Sequence, residues 1–115
     1  MVILDRKISL EQLETIEEET FFDYMSKAVV DIGKGIIAVN AELHSDLEKM
    51  LLDSGSNQHD LYGINLLFDE AEIEYDSMIN PPRNREAGYP RVGRDVADPE
   101  ARKKIEEIVH QWIEL

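Results

Sequence analysis

Apolar positions along the chain recur with two periods, and the first of these is helical. Ser9 and Gln12 have the spacing of a capping box at the start of a helix. The apolar positions behind them keep a spacing of three to four residues, which predicts a first helix that reaches about Met25. Three consecutive acids lie late in this segment, where the helix macrodipole disfavours them, and we therefore expect a break near Glu19 or Thr20.

Two further segments carry the same helical pattern. Ser45 and Glu48 repeat the capping spacing, and a buried stripe behind them predicts a second helix that stops at Gly55. Asp98 has the features of an N-cap, and Pro99 follows it at the first helical position. The apolar stripe that comes next predicts a last helix running towards the end of the chain.

The second period is two residues long and indicates strands. The runs 27–32 and 36–40 are rich in β-branched residues and are joined by a glycine-flanked turn, which predicts a hairpin. The runs 61–68 and 72–79 predict a second hairpin. Apolar and acidic residues alternate in the run 72–79, a pattern typical of a strand with one covered face and one solvated face. A short opening strand at 2–4 also fits the pattern.

The predicted order is therefore helix, hairpin, helix, hairpin, loop, helix. This order predicts an α+β fold, with an antiparallel sheet of two hairpins and helices packed mainly on one face. Two αββ units related by internal pseudo-symmetry would give the same order. The length of 115 residues predicts a single domain over 1–115. A domain of this size buries roughly two-thirds of the surface that its unfolded chain exposes, so it can form a hydrophobic core without disulfides or a structural metal.

Composition narrows the classes of function. The chain has no cysteine, which excludes a disulfide framework, zinc held by cysteine and thiol catalysis. Its net charge of −13 opposes binding of long nucleic acids, because the field of the whole molecule repels polyanions. The N-terminus lacks the features of a signal peptide, and no apolar run approaches the roughly 20 residues of a membrane span. We therefore expect a cytoplasmic protein that does not bind membranes.

One segment has the opposite charge. Residues 80–94 read NPPRNREAGYPRVGR and hold four of the 12 bases but only one of the 25 acids. Their three prolines predict an irregular loop. Guanidinium groups that converge in a loop could bind a carboxylate or phosphate bidentately, whereas the alternative is that they pair with the chain's own acids. The predicted anion-binding residues are Asn80, Arg83, Arg85, Arg91 and Arg94.

A second set of polar residues suggests a metal site. Residues two apart in an extended segment project to the same side, so Glu42, His44 and Asp46 could present one imidazole and two carboxylates together. Asp31 on the first hairpin could complete a divalent metal site with oxygen and nitrogen ligands. The alternative is a polar entry to the second helix, in which these residues cap the helix or favour its dipole. No other cofactor is predicted.

Asn65 interrupts an otherwise apolar strand. A buried amide without partners costs about 1–3 kcal/mol, so Asn65 must form hydrogen bonds. Backbone groups or the neighbours of its own strand are the usual partners. The alternative is that Asn65, Asp76 and Asn80 line the floor of a pocket under the arginine-rich segment.

Several phrases resemble an uncharacterised prokaryotic family that is catalogued as a domain of unknown function. They are KAVVDIGKGIIAV, AELHSDLEKMLLDSGSNQ, DLYGINLL, IEYDSMIN and VADPEARKKIEEIV, which span nearly the whole chain. The family pattern has GELH, D-G-S-x-Q, L-W-G-I-N, F-D-S-M-I-N and G-N-R-S-R. This chain has Ala41, Tyr62 and Tyr75 where the family has Gly, Trp and Phe, and only Arg94 aligns within the arginine-rich phrase. The resemblance implies one intact domain and no particular chemistry.

These observations favour a small binding or interaction module that uses the segment 80–94 to contact an anionic group. The partner would be a small anionic ligand or an acidic protein surface. A cationic segment on an acidic body also offers a route to a homo-oligomer. The rival hypothesis is a hydrolase or phosphoryl-transfer enzyme, metal-assisted or based on histidine, in which Glu42, His44 and Asp46 act and the arginines hold phosphate.

Overall fold

The computed structural model describes all residues, 1–115, and its centre is a five-stranded antiparallel sheet. Its strands are β1 (Val2–Ile3), β3 (Met25–Asp31), β4 (Ile36–Val39), β5 (Leu61–Leu67) and β6 (Glu72–Glu74). Their order across the sheet is β1-β4-β3-β5-β6. Two further short strands, β2 (Ile8–Ser9) and β7 (Ile113–Glu114), pair in parallel with each other. The hairpin predicted from residues 27–40 is thus present as β3 and β4.

Four α-helices and one 3₁₀ turn surround the sheet. They are α1 (Leu10–Glu14), α2 (His44–Asp53), α3 (Asn80–Glu86), α4 (Pro99–Trp112) and the 3₁₀ turn Gln58–Asp60. The capping box of α1 is confirmed, since Ser9 and Gln12 each accept a hydrogen bond from the other's backbone N–H. Asp98 caps α4 by accepting a bond from the Glu100 N–H at 3.1 Å, as the sequence predicts. None of the helices combines the length and the apolar character that crossing a membrane requires.

The first helix is shorter than its apolar stripe predicts. It ends at Glu14, and the chain then runs irregularly until β3 begins at Met25. Long-range bonds hold this segment instead of a helix. The carboxylate of Glu17 accepts from the N-terminal ammonium group at 2.6 Å and from the Asn40 amide at 3.0 Å. Glu17 thus has tertiary partners outside α1, in place of the unfavourable dipole position that it would have had inside the helix.

The α+β class and the antiparallel sheet are confirmed, but the sheet is covered on both of its faces. Residues of α1 and α4 pack on one face with the larger apolar cluster, which includes Val30, Ile64 and Ile105. Helix α2 packs on the opposite face through Leu47 and Leu51. The reason is visible in β3, whose consecutive apolar residues project alternately to the two sides, so that both sides need a cover.

The second hairpin and the segment after it differ from the sequence prediction. Strand β6 ends at Glu74 and does not continue to Ile79. Residues 80–86 form α3, although an irregular loop was predicted there. Pro81 and Pro82 lie in the first turn of α3, where a missing backbone N–H breaks no helical bond. The prolines therefore start this helix and do not prevent it.

Candidate functional site

The face of the sheet under α2 has two halves of different character. Next to the helix the face is apolar. The apolar residues there are Val29, Ala38 and Leu61. At the other end, β3 pairs Lys27 with Asn65, and β5 pairs Asn65 with Glu74. Since residues two apart on a strand share a face, these three polar side chains form a row beside the apolar half.

Asn65 forms hydrogen bonds with a neighbouring strand residue and a backbone carbonyl, which are the kinds of partner that the sequence analysis named first. Its Nδ2 donates to Glu74 Oε1 at 2.8 Å and to the Asp76 carbonyl at 3.3 Å. Its Oδ1 is buried and accepts no hydrogen bond from the protein. Both partners of Nδ2 are acceptors, which fixes the orientation of the amide and leaves one buried acceptor available.

His44 is the first residue of α2 and lies directly over Gly63 of β5. A Cβ at position 63 would overlap the side chain of Ser77 and would lie 3.1 Å from His44 Cδ2, so the close packing here requires glycine. His44 Nε2 lies 2.8 Å from the carbonyl oxygen of Ile64. A carbonyl can only accept, so Nε2 carries the proton and Nδ1 is left as an acceptor without a protein partner.

The surroundings of His44 keep its imidazole neutral. Burial lowers its pKa below the usual value of about 6.5, and the hydrogen bond to the Ile64 carbonyl opposes this effect in part. The charges of Lys27 and Arg94 lower the pKa further, whereas Asp76 raises it. The ring is therefore largely uncharged at pH 7, and the positive charges that act on it are those of the lysine and the arginine.

A small opening, which we call the His44 cleft, lies beside this ring. Its volume is about 110 Å³. The residues that line it are Lys27, Leu43, His44, Ser45, Met78, Ile79 and Arg94. The cleft thus joins a lysine of β3, the start of α2 and one arginine of the cationic segment. The sequence did not single out Lys27, Leu43 or Met78, although a lone lysine within the apolar run of β3 is a signal that could have been followed.

Arg94 is available to a ligand. Its Nε lies 2.7 Å from Asp76 Oδ1, and both of these side chains are about half exposed. The two terminal nitrogens of the guanidinium group bond to no protein atom. An exposed pair of this kind contributes about 0–1 kcal/mol, so an incoming anion can compete for the arginine at low cost.

Two of the predicted anion-binding residues have structural roles. Arg83 is buried, its Nε donates to the Leu61 carbonyl at 3.0 Å, and its Nη2 forms an ion pair with Glu48. Asn80 accepts from the Gly63 N–H and donates to the Gly63 and Arg94 carbonyls, each at 2.9 Å. Both amide hydrogens of Asn80 are therefore used within the protein, and none is left for an outside anion.

Asn84 is a residue whose role the sequence did not reveal. It lies four residues after Asn80, on the same side of α3. Its Nδ2 donates to the carbonyls of Gly93 and Asp95, and its Oδ1 accepts from the Ala97 N–H at 3.1 Å. These three bonds hold the segment after α3 against the helix. Together with Asn80 they fix the backbone on both sides of Arg94, and so direct that arginine to the cleft.

The remaining predicted residues are dispersed. Arg85 and Arg91 are exposed and form no ion pair, so the four arginines do not gather in one place. Asp46 borders a different hollow, beside Met1 and Lys49. Of the residues proposed for a metal or for catalysis, His44 alone lines the His44 cleft with Arg94.

The other acids proposed as metal ligands do not meet His44 either. Glu42 is exposed. Asp31 is fully buried and accepts hydrogen bonds from the backbone of the β3–β4 turn and, at 2.6 Å, from Ser56 Oγ. No group of three or more His, Asp or Glu side chains lies together in a way that could hold a metal ion.

Comparison with known proteins gives one match. A family model matches residues 2–112, and its description reads "Protein of unknown function (DUF5674)". Neither a curated protein nor a solved structure matches the chain. The match covers nearly the whole length, as the resemblance noted in the sequence does, and it brings no assigned chemistry.

Proposed function

The chain belongs to the DUF5674 family, and we propose that it is a small cytoplasmic binding module that holds an anionic group in the His44 cleft. Arg94 and Lys27 supply the positive charge. The observation that carries this proposal is that both cations line one concave site on a molecule whose net charge is −13. A local cationic site on an acidic body favours a compact anion over a long polyanion.

The geometry of Arg94 supports this function. Its free terminal nitrogens present two parallel N–H groups, the arrangement that binds a carboxylate or phosphate bidentately. Asp76 holds the guanidinium group from the side of Nε at 2.7 Å, which restricts its orientation without occupying the other donors. Lys27 adds a second positive charge within the same opening.

His44 adds an acceptor to a site that otherwise offers donors. Its Nδ1 can accept a hydrogen bond from a hydroxyl or amide of the ligand, since the bond from Nε2 to Ile64 fixes the tautomer. The same feature favours a second candidate function. A neutral imidazole beside Ser45 and two cations is an arrangement that could transfer a proton during hydrolysis or phosphoryl transfer.

Titration with inorganic phosphate and with citrate tests the binding function. We expect the unmodified protein to bind, and Arg94→Gln and Lys27→Gln each to weaken binding about tenfold, because a charge-assisted hydrogen bond contributes about 1.5–3 kcal/mol. Lys104→Gln removes a charge from an exposed position on α4 and is the matched control. Equal binding by all four proteins, or no binding by any, would contradict the proposal.

The second candidate has a separate test. If the site transfers a proton, the unmodified protein releases product from a phosphomonoester such as p-nitrophenyl phosphate, and His44→Gln does not. Equal rates for these two proteins would exclude a role for the imidazole in catalysis, whatever the result of the binding titrations.

A further inference from the structure

Two large apolar side chains that line the His44 cleft are exposed to solvent, and an aromatic pair lies on the side of its lysine. Leu43 is 52% exposed and Met78 is 69% exposed, and both line the cleft itself. On the side of Lys27, its Nζ lies 5.3 Å from the centre of the Phe22 ring. Phe22 in turn packs edge-on against Tyr24, which is 59% exposed. We call Phe22, Tyr24, Leu43 and Met78 the apolar rim.

Such a rim is unusual for solvated surface. Methionine, aromatic residues and arginine are enriched at protein–protein interfaces, whereas the acids that dominate this chain are depleted there. The methionine and aromatic residues of the apolar rim, together with Arg94, therefore have the composition of an interface, on a molecule whose net charge is −13. Charge complementarity indicates that the other side of this interface is negative.

The size of the cleft restricts what enters it. Sites that enclose a whole small molecule have volumes of about 300–1,000 Å³. The His44 cleft, at about 110 Å³, holds one carboxylate or phosphate group and little more. The rest of any ligand must then lie outside the cleft, against the apolar rim.

We propose that the ligand of the His44 cleft is a segment of another protein in which one acidic group is flanked by apolar side chains. The acidic group enters the cleft and contacts Arg94 and Lys27, and the apolar side chains cover Leu43, Met78 and Tyr24. This inference rests on the proposed function and identifies the class of ligand that the site takes.

A symmetric dimer of this chain does not fit the site. In a two-fold contact the same patch lies on both sides, so Arg94 and Lys27 of both copies would enter one interface without an acidic segment to pair with them. Like charges brought together in this way disfavour association. We therefore assign the acidic segment to a different protein, and a head-to-tail contact with a second copy is an outcome that the sedimentation experiment below detects.

A set of short peptides tests this inference. The probe is an acetylated and amidated peptide with one glutamate between two leucines on either side. We expect it to bind more tightly than a peptide with glutamine for glutamate and more tightly than one with serine for leucine, by about tenfold in each comparison. A peptide with phosphoserine for glutamate shows which of the two anions the cleft prefers.

Variants of the apolar rim provide a second test of the proposed peptide ligand. Tyr24→Ser is expected to weaken peptide binding about fivefold and to leave phosphate binding unchanged, because Tyr24 does not line the cleft. Leu43→Ser and Met78→Ser are expected to weaken binding of the peptide more than binding of phosphate. Both positions are exposed, and serine is a favourable residue at the N-cap position that Leu43 holds, so the variants should fold.

The outcomes separate the two proposals. If phosphate binds but the glutamine peptide binds as well as the glutamate peptide, or the rim variants bind the peptide normally, this inference is wrong and the proposed function stands. If neither phosphate nor peptide binds the unmodified protein, both fail. Sedimentation that shows self-association weakened by Met78→Ser would identify a second copy as the occupant and would overturn the assignment to another protein.

Discussion

The two faces of the central sheet are covered in different ways. The face under α4 is closed by one apolar cluster of 16 buried residues. The face under α2 has an apolar cluster of 7 buried residues and then gives way to Lys27, Asn65 and the His44 cleft. The comparison indicates that the first face supplies most of the hydrophobic stabilisation. The second face is only partly covered by apolar residues, and polar side chains occupy the rest of it. Most of the hydrophobic core and the proposed binding site thus lie on opposite faces of one sheet.

Polar contacts beside the second face should nevertheless be costly to remove. Asn80→Ala leaves the N–H and the carbonyl of Gly63 without partners. It also removes one of the two donors to the Arg94 carbonyl, which keeps the bond from the Ser77 N–H. We expect the free energy of unfolding to fall by about 4 kcal/mol, because each buried unpaired group costs about 1–3 kcal/mol. Urea unfolding measures this change. Asn57→Ala, at an exposed position, is the control, and equal midpoints for the two variants would contradict the structural role of Asn80.

The closed face should affect stability without affecting binding. Ile105→Ala removes a fully buried side chain of α4, and we expect a loss of about 3 kcal/mol from the lost contacts and the cavity left behind. Phosphate affinity of the folded variant should equal that of the unmodified protein. Glu107→Ala on the exposed side of α4 should change stability by less than about 0.5 kcal/mol. A change in phosphate affinity with Ile105→Ala would mean that the two faces are coupled.

We expect His44, on the face of the sheet under α2, to contribute to the pH dependence of stability. The pKa of His44 is lower in the folded protein than in the unfolded chain, so the unfolded chain binds more protons as the pH falls. The stability linked to neutral His44 is complete above about pH 6.5 and decreases as the pH falls towards the lower pKa of the folded state. Urea unfolding at pH 7.5 and pH 5.5 should show a smaller difference for His44→Gln than for the unmodified protein. An identical difference would exclude His44 as the source.

The smallest effect is expected at the exposed arginines. Arg91→Ala and Arg85→Ala should each change the free energy of unfolding by less than about 0.5 kcal/mol, because neither side chain forms an ion pair. Phosphate titration of the same variants sharpens the comparison with Arg94→Gln. A loss of affinity with Arg91→Ala as large as that with Arg94→Gln would favour a site shared by the whole segment 80–94 over the His44 cleft.

Local signals in the sequence predicted much of the fold. The capping box at Ser9, the N-cap at Asp98 and the β3–β4 hairpin depend on neighbouring residues and are found as expected. The early end of α1 could not be predicted in this way, because the partners of Glu17 are the N-terminus and Asn40. Such bonds exist only after the chain has folded.

The candidate site was only partly predictable for the same reason. Composition showed a cationic segment, and Arg94 belongs to it. Whether an arginine is buried or exposed depends on partners that are distant in sequence. Arg83 is buried because it pairs with Glu48 and donates to the Leu61 carbonyl. Spacing placed Glu42, His44 and Asp46 on one side of an extended segment, but α2 already begins at His44 and turns them to different sides.

The contacts that α3 makes with β5 also determine how this protein can meet others. Past the end of β6, the side chains of Asn80 and Arg83 take the hydrogen-bonding positions that a neighbouring strand would occupy at Gly63 and Leu61. An extended peptide therefore finds no free backbone groups there to pair with. The outer strands, β1 and β6, have only two and three residues, so they offer little length for pairing with a strand of another chain. The peptide that we propose as a ligand would therefore be recognised through its side chains and not through its main chain.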